Sequence, residues 1–186
     1  VTELVKGLDG GMEKVNAIFK FVSQEIRYMG LTLEEESPGY APHDVSLTFD
    51  NRYGVCRDKA GLLVAMLRIA GFKAYPVLIN FGAKMDDEVP QPYFNHAIVA
   101  VAQEHGYELM DPTDESSRDL FPSYLSDCSY LVARSEGERL LVSPTVDAEK
   151  NAVLISGDGR LNRDGSLLVD YTIDFTGVND NAYRGA

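Results

Sequence analysis

The sequence predicts an α+β protein in which helices come first and strands follow. Residues 12–29 place apolar side chains at helical spacing, and residues 57–70 are rich in helix formers. From Lys73 onward, short runs of alternating or continuous apolar residues parted by turn-forming residues replace the helical spacing.

At 186 residues the chain is long enough for one compact domain with an extension. Its hydrophobic fraction of 45% and charged fraction of 25% are ordinary globular usage and argue against disorder or a fibrous fold. The formal net charge of -12 disfavours nucleic acid and anionic membrane as partners, because phosphates are repelled at long range. The densest acidic run, Glu34-Glu35-Glu36, adjoins Ser37-Pro38-Gly39 and is expected to be a solvated loop. No stretch approaches the length of a transmembrane helix, so membrane insertion is not expected. The opening Val1-Thr2-Glu3 is neither a signal peptide nor an initiator methionine, so the chain is expected to be a piece of a longer one.

Taken in order, Met12, Val15, Ile18, Phe19, Val22, Ile26 and Met29 form one apolar helical stripe behind Asp9-Gly10-Gly11. Between Gly30 and Gly54 periodicity fades and Pro38, Gly39, Pro42 and Asn51 appear, which reads as a long ordered loop with at most one helical turn. Residues 57–70 read as a central helix, since Arg68 is its one charge beyond the first turn, and Gly71 is a natural stop. Lys73 to Phe81 reads as a strand. Asp86 to Pro92 is a polar loop leading into Phe94 to Val101, a strand apolar on both faces. Gln103 to Gly106 turns the chain into the returning strand Tyr107 to Met110. Ser129 to Arg134 and Arg139 to Val142 read as further short strands. After Pro144, Ala152 to Ser156 and Ser166 to Phe175 read as a strand pair around Arg163-Asp164-Gly165, with Gly157-Asp158-Gly159 taken as a hairpin turn. A domain boundary is expected near Thr145, giving units 1–144 and 145–186.

A catalytic cysteine needs a positive local field to exist as thiolate, and the first turn of a helix supplies one. Cys56 stands there, behind Gly54, and its own amide is placed to donate to an oxyanion. A base must follow. His96 lies on a buried strand, where an imidazole requires a partner, while His43 and His105 fall in a loop and a turn. Asp111 ends the strand returning from that of His96 and can orient the imidazole. The midpoint between 96 and 111 falls at Gln103-Glu104, inside the expected turn, so the two are neighbours within a slip of about two or three residues. Taken singly, a buried cysteine is commonly a small hydrophobe, a strand histidine a structural residue and an Asp-Pro a turn. Their order on helix start, strand and next strand is far more specific. Cys128 lies in what reads as a featureless loop, and two cysteines give no disulfide framework.

Through Arg52-Tyr53-Gly54-Val55-Cys56-Arg57-Asp58-Lys59-Ala60, Leu67 to Ala74, Asn95-His96-Ala97 and Gly106 to Thr113, the sequence resembles the transglutaminase-like superfamily, relatives of papain-type cysteine proteases. The resemblance covers residues 12 to 143. It implies a nucleophile helix packed on an antiparallel sheet, with Cys56 as nucleophile, His96 as general base and acid, and Asp111 as orienting carboxylate. Val55 stands where close relatives often carry Asp, and Tyr107 where the wider superfamily has Trp; both flank the site. Pro38-Gly39-Tyr40-Ala41-Pro42 and Cys56 to Ala60 resemble bacterial multidomain proteins with this core between β-rich domains. Residues 145–186 would then begin the following β-rich domain, and an exported, periplasmic or cell-surface setting is expected.

No Cys or His pair has zinc-ligand spacing, no G-x-S-x-G elbow occurs, and no coenzyme site is recognised, so neither metal nor cofactor is expected. The expected function is amide-bond chemistry on peptides or proteins through a thioester, with hydrolysis favoured over acyl transfer. The alternative is a non-catalytic module that keeps the fold to bind a peptide or partner domain.

Overall fold

The computed structural model describes residues 1–30, 40–82, 84–86, 88–89, 91–116 and 118–184. The acidic run 34–36 and the Pro38-Gly39 part of the proline-rich motif lie outside them.

Helix α1 spans Gly11–Glu25 and buries Val15, Ile18, Phe19 and Val22, the stripe that its spacing dictates. It stops short of Met29. Ile26 is extended, and Arg27–Tyr28 form strand β1, parallel to β2 at Tyr53–Gly54. The amides of Arg27 and Met29 donate to the carbonyls of Arg52 and Gly54 at 2.8 and 3.0 Å, so long-range pairing overrides the helical period there. Between these strands lies α2, Val45–Asn51, capped by Asp44, whose carboxylate accepts from the Ser46 amide. The expected loop therefore carries two full turns of helix, nucleated by that cap.

Helix α3 runs Cys56–Ile69 and buries Leu62, Leu63, Val64, Met66 and Leu67. Full burial of Leu63 and Leu67 contributes about 1.5–3 kcal/mol each. Gly71 closes it at φ +92°, with the Phe72 amide bonded back to Leu67 at 3.0 Å.

Strands β3 (Ala74–Ile79), β4 (His96–Ala102), β5 (Tyr107–Met110), β6 (Ser129–Val132) and β7 (Leu141–Val142) form an antiparallel sheet in the order β5-β4-β3-β6-β7. Ala97, Val99, Val101 and Met110 face α1 and α3, while Ile98, Ala100 and Leu109 join Leu125, Cys128 and Val132 on the other face. Strand β4 is thus covered on both sides, as its doubly apolar sequence requires. Cys128 lies in a loop just before β6, as expected, but it belongs to that second core and is 4% exposed.

Past Pro144, β8 (Val153–Leu161) and β9 (Leu167–Phe175) make a hairpin closed by Asn162 to Ser166, and α4 spans Val178–Arg184. Gly157-Asp158-Gly159 lies inside β8, not at a turn. Gly157 pairs with Tyr171 and Gly159 with Val169, and a Cβ at Gly157 would meet Val169 Cγ1 at 3.3 Å, so the glycines make room for side chains of the partner strand. Every residue of β8 is exposed.

Candidate active site

The register of β4 on β5 pairs Val99 with Met110 and Ala102 with Tyr107. That places Asp111 one residue beyond the pairing and within reach of His96, which opens β4. His96 Nε2 lies 2.8 Å from Asp111 Oδ2. Asp111 is fully buried, and its other oxygen accepts from the amide and hydroxyl of Thr113 at 2.9 and 2.7 Å. The Asp-Pro-Thr turn thus holds the carboxylate in one orientation.

With Nε2 committed to Asp111, His96 also lies close enough to Cys56 for each to shift the other's pKa. Burial pushes the Cys56 thiol up, but the hydrogen bond and charge of His96, with the amides of Ala97 and Arg57, overcome this and hold it below its ordinary value. Burial likewise disfavours the imidazolium, yet bonds and charges from Asp111 and Cys56 raise His96 to about 9. For Asp111, burial favours the neutral acid and is outweighed by His96 and Thr113, so it stays below the usual carboxylate range. Each shift thus favours the charged form of its group: thiolate at Cys56, imidazolium at His96 and carboxylate at Asp111.

The turn that presents Cys56 is fastened by residues that sequence reasoning passed over. Asp58 is buried and accepts from the Val55 amide at 3.1 Å and from the His43 amide at 2.9 Å, with His43 Nδ1 also at 2.9 Å. An acidic residue at the third helical position is a capping signature and was available as a signal. Gly54 is required where it stands, since a Cβ there would lie 2.7 Å from Asp58 Cβ. Lys59, fully buried, donates to the carbonyls of Ser23 and Ile26 at 3.1 and 2.5 Å and joins the end of α1 to α3. Desolvation lowers its pKa to about 8. Tyr124 donates its hydroxyl to Asp111 Oδ2 at 3.3 Å and packs edge-on against Phe81. Nothing local in the sequence announces Tyr124, because its contact is made through the fold.

His105 occupies the β4–β5 turn and His43 serves Asp58, so neither joins the three. Both cysteines are free. A cleft of about 1000 Å³ opens beyond Glu115, between Gln24, Arg118, Tyr171, Phe175 and Tyr183, and contains none of the three.

A helix opening on a cysteine, docked against an antiparallel sheet one strand of which opens on a histidine, defines a mixed protein of transglutaminase-like fold. The chain belongs to the transglutaminase-like superfamily, whose family model matches residues 1–112. In fold it is similar to a candidate protease from Parabacteroides distasonis, with a TM-score of 0.58 at 15% identity, covering 83% of this chain and 31% of that one. It is also similar to a candidate cysteine protease from Cytophaga hutchinsonii, with a TM-score of 0.46, 17% identity and coverage of 95% and 51%. A third is the arylamine N-acetyltransferase of Mycobacterium marinum, with a TM-score of 0.40, 14% identity and coverage of 97% and 67%. The chain therefore spans 31% and 51% of the length of the first two. No curated protein matches it.

Proposed function

We propose that this chain carries a cysteine-nucleophile enzyme that acts on amide bonds of peptides or proteins through a thioester acyl-enzyme. Cys56 is the nucleophile, His96 the general acid and base, and Asp111 the orienting carboxylate. The observation that carries the reading is the 2.8 Å bond between the buried Asp111 carboxylate and the His96 imidazole, with Cys56 near enough to His96 for the two to shift each other's pKa. The thiolate attacks the carbonyl carbon, and the oxygen takes the displaced electron pair. His96 then gives its proton to the leaving amine as the carbon–nitrogen bond breaks, leaving an S-acyl Cys56. Water, relieved of a proton by the now neutral His96, attacks the thioester and releases a carboxylic acid. Hydrolysis is favoured over transfer to an amine because no feature identifies a dedicated amine site.

Residues 145–186 are proposed as the start of a further, β-rich unit of a longer chain, which the wholly exposed β8 supports. An exported bacterial setting, periplasmic or at the cell surface, belongs to the same proposal and rests on sequence resemblance. A thiol-directed activity probe applied to the protein and to Cys56→Ala tests the reading. Labelling that depends on Cys56 and is weakened by His96→Ala supports it. Labelling indifferent to both substitutions favours a binding module that merely keeps the fold.

A further inference from the structure

Two aromatic rings stand at the His96–Asp111 end of the site, and the chemistry above uses neither. Tyr124 lies on the short 3-10 turn Ser123–Leu125, which the fully buried Leu125 pins to the core. Its hydroxyl donates to Asp111 Oδ2 at 3.3 Å, the same oxygen that holds His96. Phe81 follows β3, whose last residue, Ile79, pairs with His96. The Phe81 amide donates to Asn95 Oδ1 at 2.8 Å, and its carbonyl accepts from Asn95 Nδ2 at 3.0 Å, so the side chain of the residue before His96 fastens it. The rings meet edge to face, with centroids 5.7 Å apart and planes at 88°. They are thus set relative to each other and to the His96–Asp111 pair, yet Phe81 is 50% and Tyr124 37% exposed.

What this surface can hold follows from what its polar atoms already do. Tyr124 spends its one hydroxyl on Asp111, whose carboxylate is fully buried, and the Phe81 ring has no polar atom. Burial, then the charges of Asp111 and Asp114, raise the Tyr124 phenol, which therefore stays neutral. Ring carbon is what remains open, and it suits an apolar or aromatic group while offering nothing to a charged one. Its place in the reaction follows from the role of His96, which hands its proton to the departing amine, so a surface joined to His96 and Asp111 meets the half of the substrate that leaves.

We propose that Phe81 and Tyr124 form a subsite for an aromatic or large apolar side chain on the amine side of the scissile amide. This rests on the cysteine-nucleophile reading above. The rings hold a side chain and not an amino group, so they select which peptide half departs without making a dedicated amine site.

By microscopic reversibility, an amine that leaves in one direction attacks the acyl-enzyme from the same place in the other. p-Nitrophenyl acetate acetylates Cys56 and expels p-nitrophenolate. An equimolar mixture of L-phenylalaninamide and glycinamide then competes for the thioester. The amine nitrogen bonds to the carbonyl carbon, its proton passes to His96, and the carbon–sulfur bond breaks to return the Cys56 thiolate. The two N-acetyl products are quantified by mass spectrometry, with Cys56→Ala as the blank for direct aminolysis. Because both amines meet one acyl-enzyme, any change in the reactivity of the thiol cancels from their ratio. The parent should favour phenylalaninamide by at least about 10-fold beyond the blank, the scale of a single apolar subsite, and Phe81→Ala should bring the ratio close to that of the blank. Phe81→Leu should fall between them, and it reads the subsite even where the alanine variant folds poorly. No preference in the parent, capture of neither amine, or a preference untouched by both Phe81 variants overturns the proposal. If Cys56→Ala releases p-nitrophenolate and forms both amides as fast as the parent does, the cysteine-nucleophile reading itself fails and takes this one with it.

Discussion

His96 Nε2 lies 2.8 Å from Asp111 Oδ2, an oxygen that also accepts the Tyr124 hydroxyl at 3.3 Å. A carboxylate so placed fixes the imidazole tautomer and favours its cation, and the cation favours the Cys56 thiolate. Asp111→Asn keeps the shape and removes the charge. It is expected to slow alkylation of Cys56 near neutral pH, with His96→Ala slowing it further. Loss of general acid–base assistance should cost about 10² to 10⁴ in turnover. A stopped-flow alkylation profile identical to that of the parent would refute the orienting role.

Cys56 and Cys128 should differ sharply as thiols. Cys56 is partly exposed and held toward the thiolate by His96, whereas Cys128 is buried with its Sγ 3.4 Å from the Ser126 carbonyl. Limiting iodoacetamide, followed by peptide mass analysis, is expected to modify Cys56 first. Faster labelling of Cys128 would overturn the assignment of the nucleophile.

The pH dependence follows from the directions of the shifts. His96, raised to about 9, contributes stability that is fully present below the unfolded value of 6.5 and is lost as pH rises through 9. Asp111, lowered, contributes stability present above the unfolded value of 3.8 and lost as pH falls through its folded value. The stability difference between the parent and Asp111→Asn should therefore be widest at neutral pH and shrink on both sides, as read by urea unfolding across pH. Turnover of an amide should fall on the alkaline side near 9, where His96 can no longer protonate the leaving amine.

Much of this architecture was legible in the sequence, and the exceptions share a cause. The stripe of α1, the stop at Gly71 and the β4–β5 turn at Gln103 to Gly106 are local signals, and they hold in the fold. A pairing of His96 with Asp111 centred on Gln103-Glu104 lies two positions from the observed register, in which Val99 pairs with Met110. Met29 misled because its amide and that of Arg27 find carbonyls at Gly54 and Arg52, contacts separated by about 25 residues of chain that no periodicity records. Tyr124 and the bond from His43 to Asp58 escape notice for the same reason, whereas the Asp58 cap on Val55 is a local signal. Gly157-Asp158-Gly159 misled in the opposite sense, since glycine's turn preference yielded to cross-strand space beside Val169 and Tyr171.

Residues 145–186 should not fold alone. The β8–β9 hairpin buries none of Leu154, Ile155, Leu161, Leu167 or Leu168, each at least 59% exposed, and a two-stranded ribbon is marginal in water. The isolated segment is expected to lack a cooperative thermal transition. A sharp transition with dispersed amide resonances would show that the segment carries its own core.

The geometry behind Cys56 yields the last prediction. Gly54 sits where Asp58 must swing under the turn to accept the Val55 amide, and an added methyl would lie 2.7 Å from Asp58 Cβ and 3.2 Å from Thr48 Cγ2. Neither neighbour can yield freely, since Thr48 and Asp58 are buried and Asp58 is bonded to His43. Gly54→Ala is therefore expected to cost about 1–3 kcal/mol of stability through overpacking. Displacing the turn also moves the Cys56 sulfur relative to His96, so reactivity should fall along with stability. Asp58→Asn separates the two effects, because it keeps the volume and can still accept one amide. It should lower stability by about 1–3 kcal/mol through weakened bonds to a buried site, with less loss of thiol reactivity than Gly54→Ala. Chemical denaturation together with iodoacetamide rates on both variants checks this. A Gly54→Ala protein as stable and as reactive as the parent would mean that the turn relaxes without moving its nucleophile.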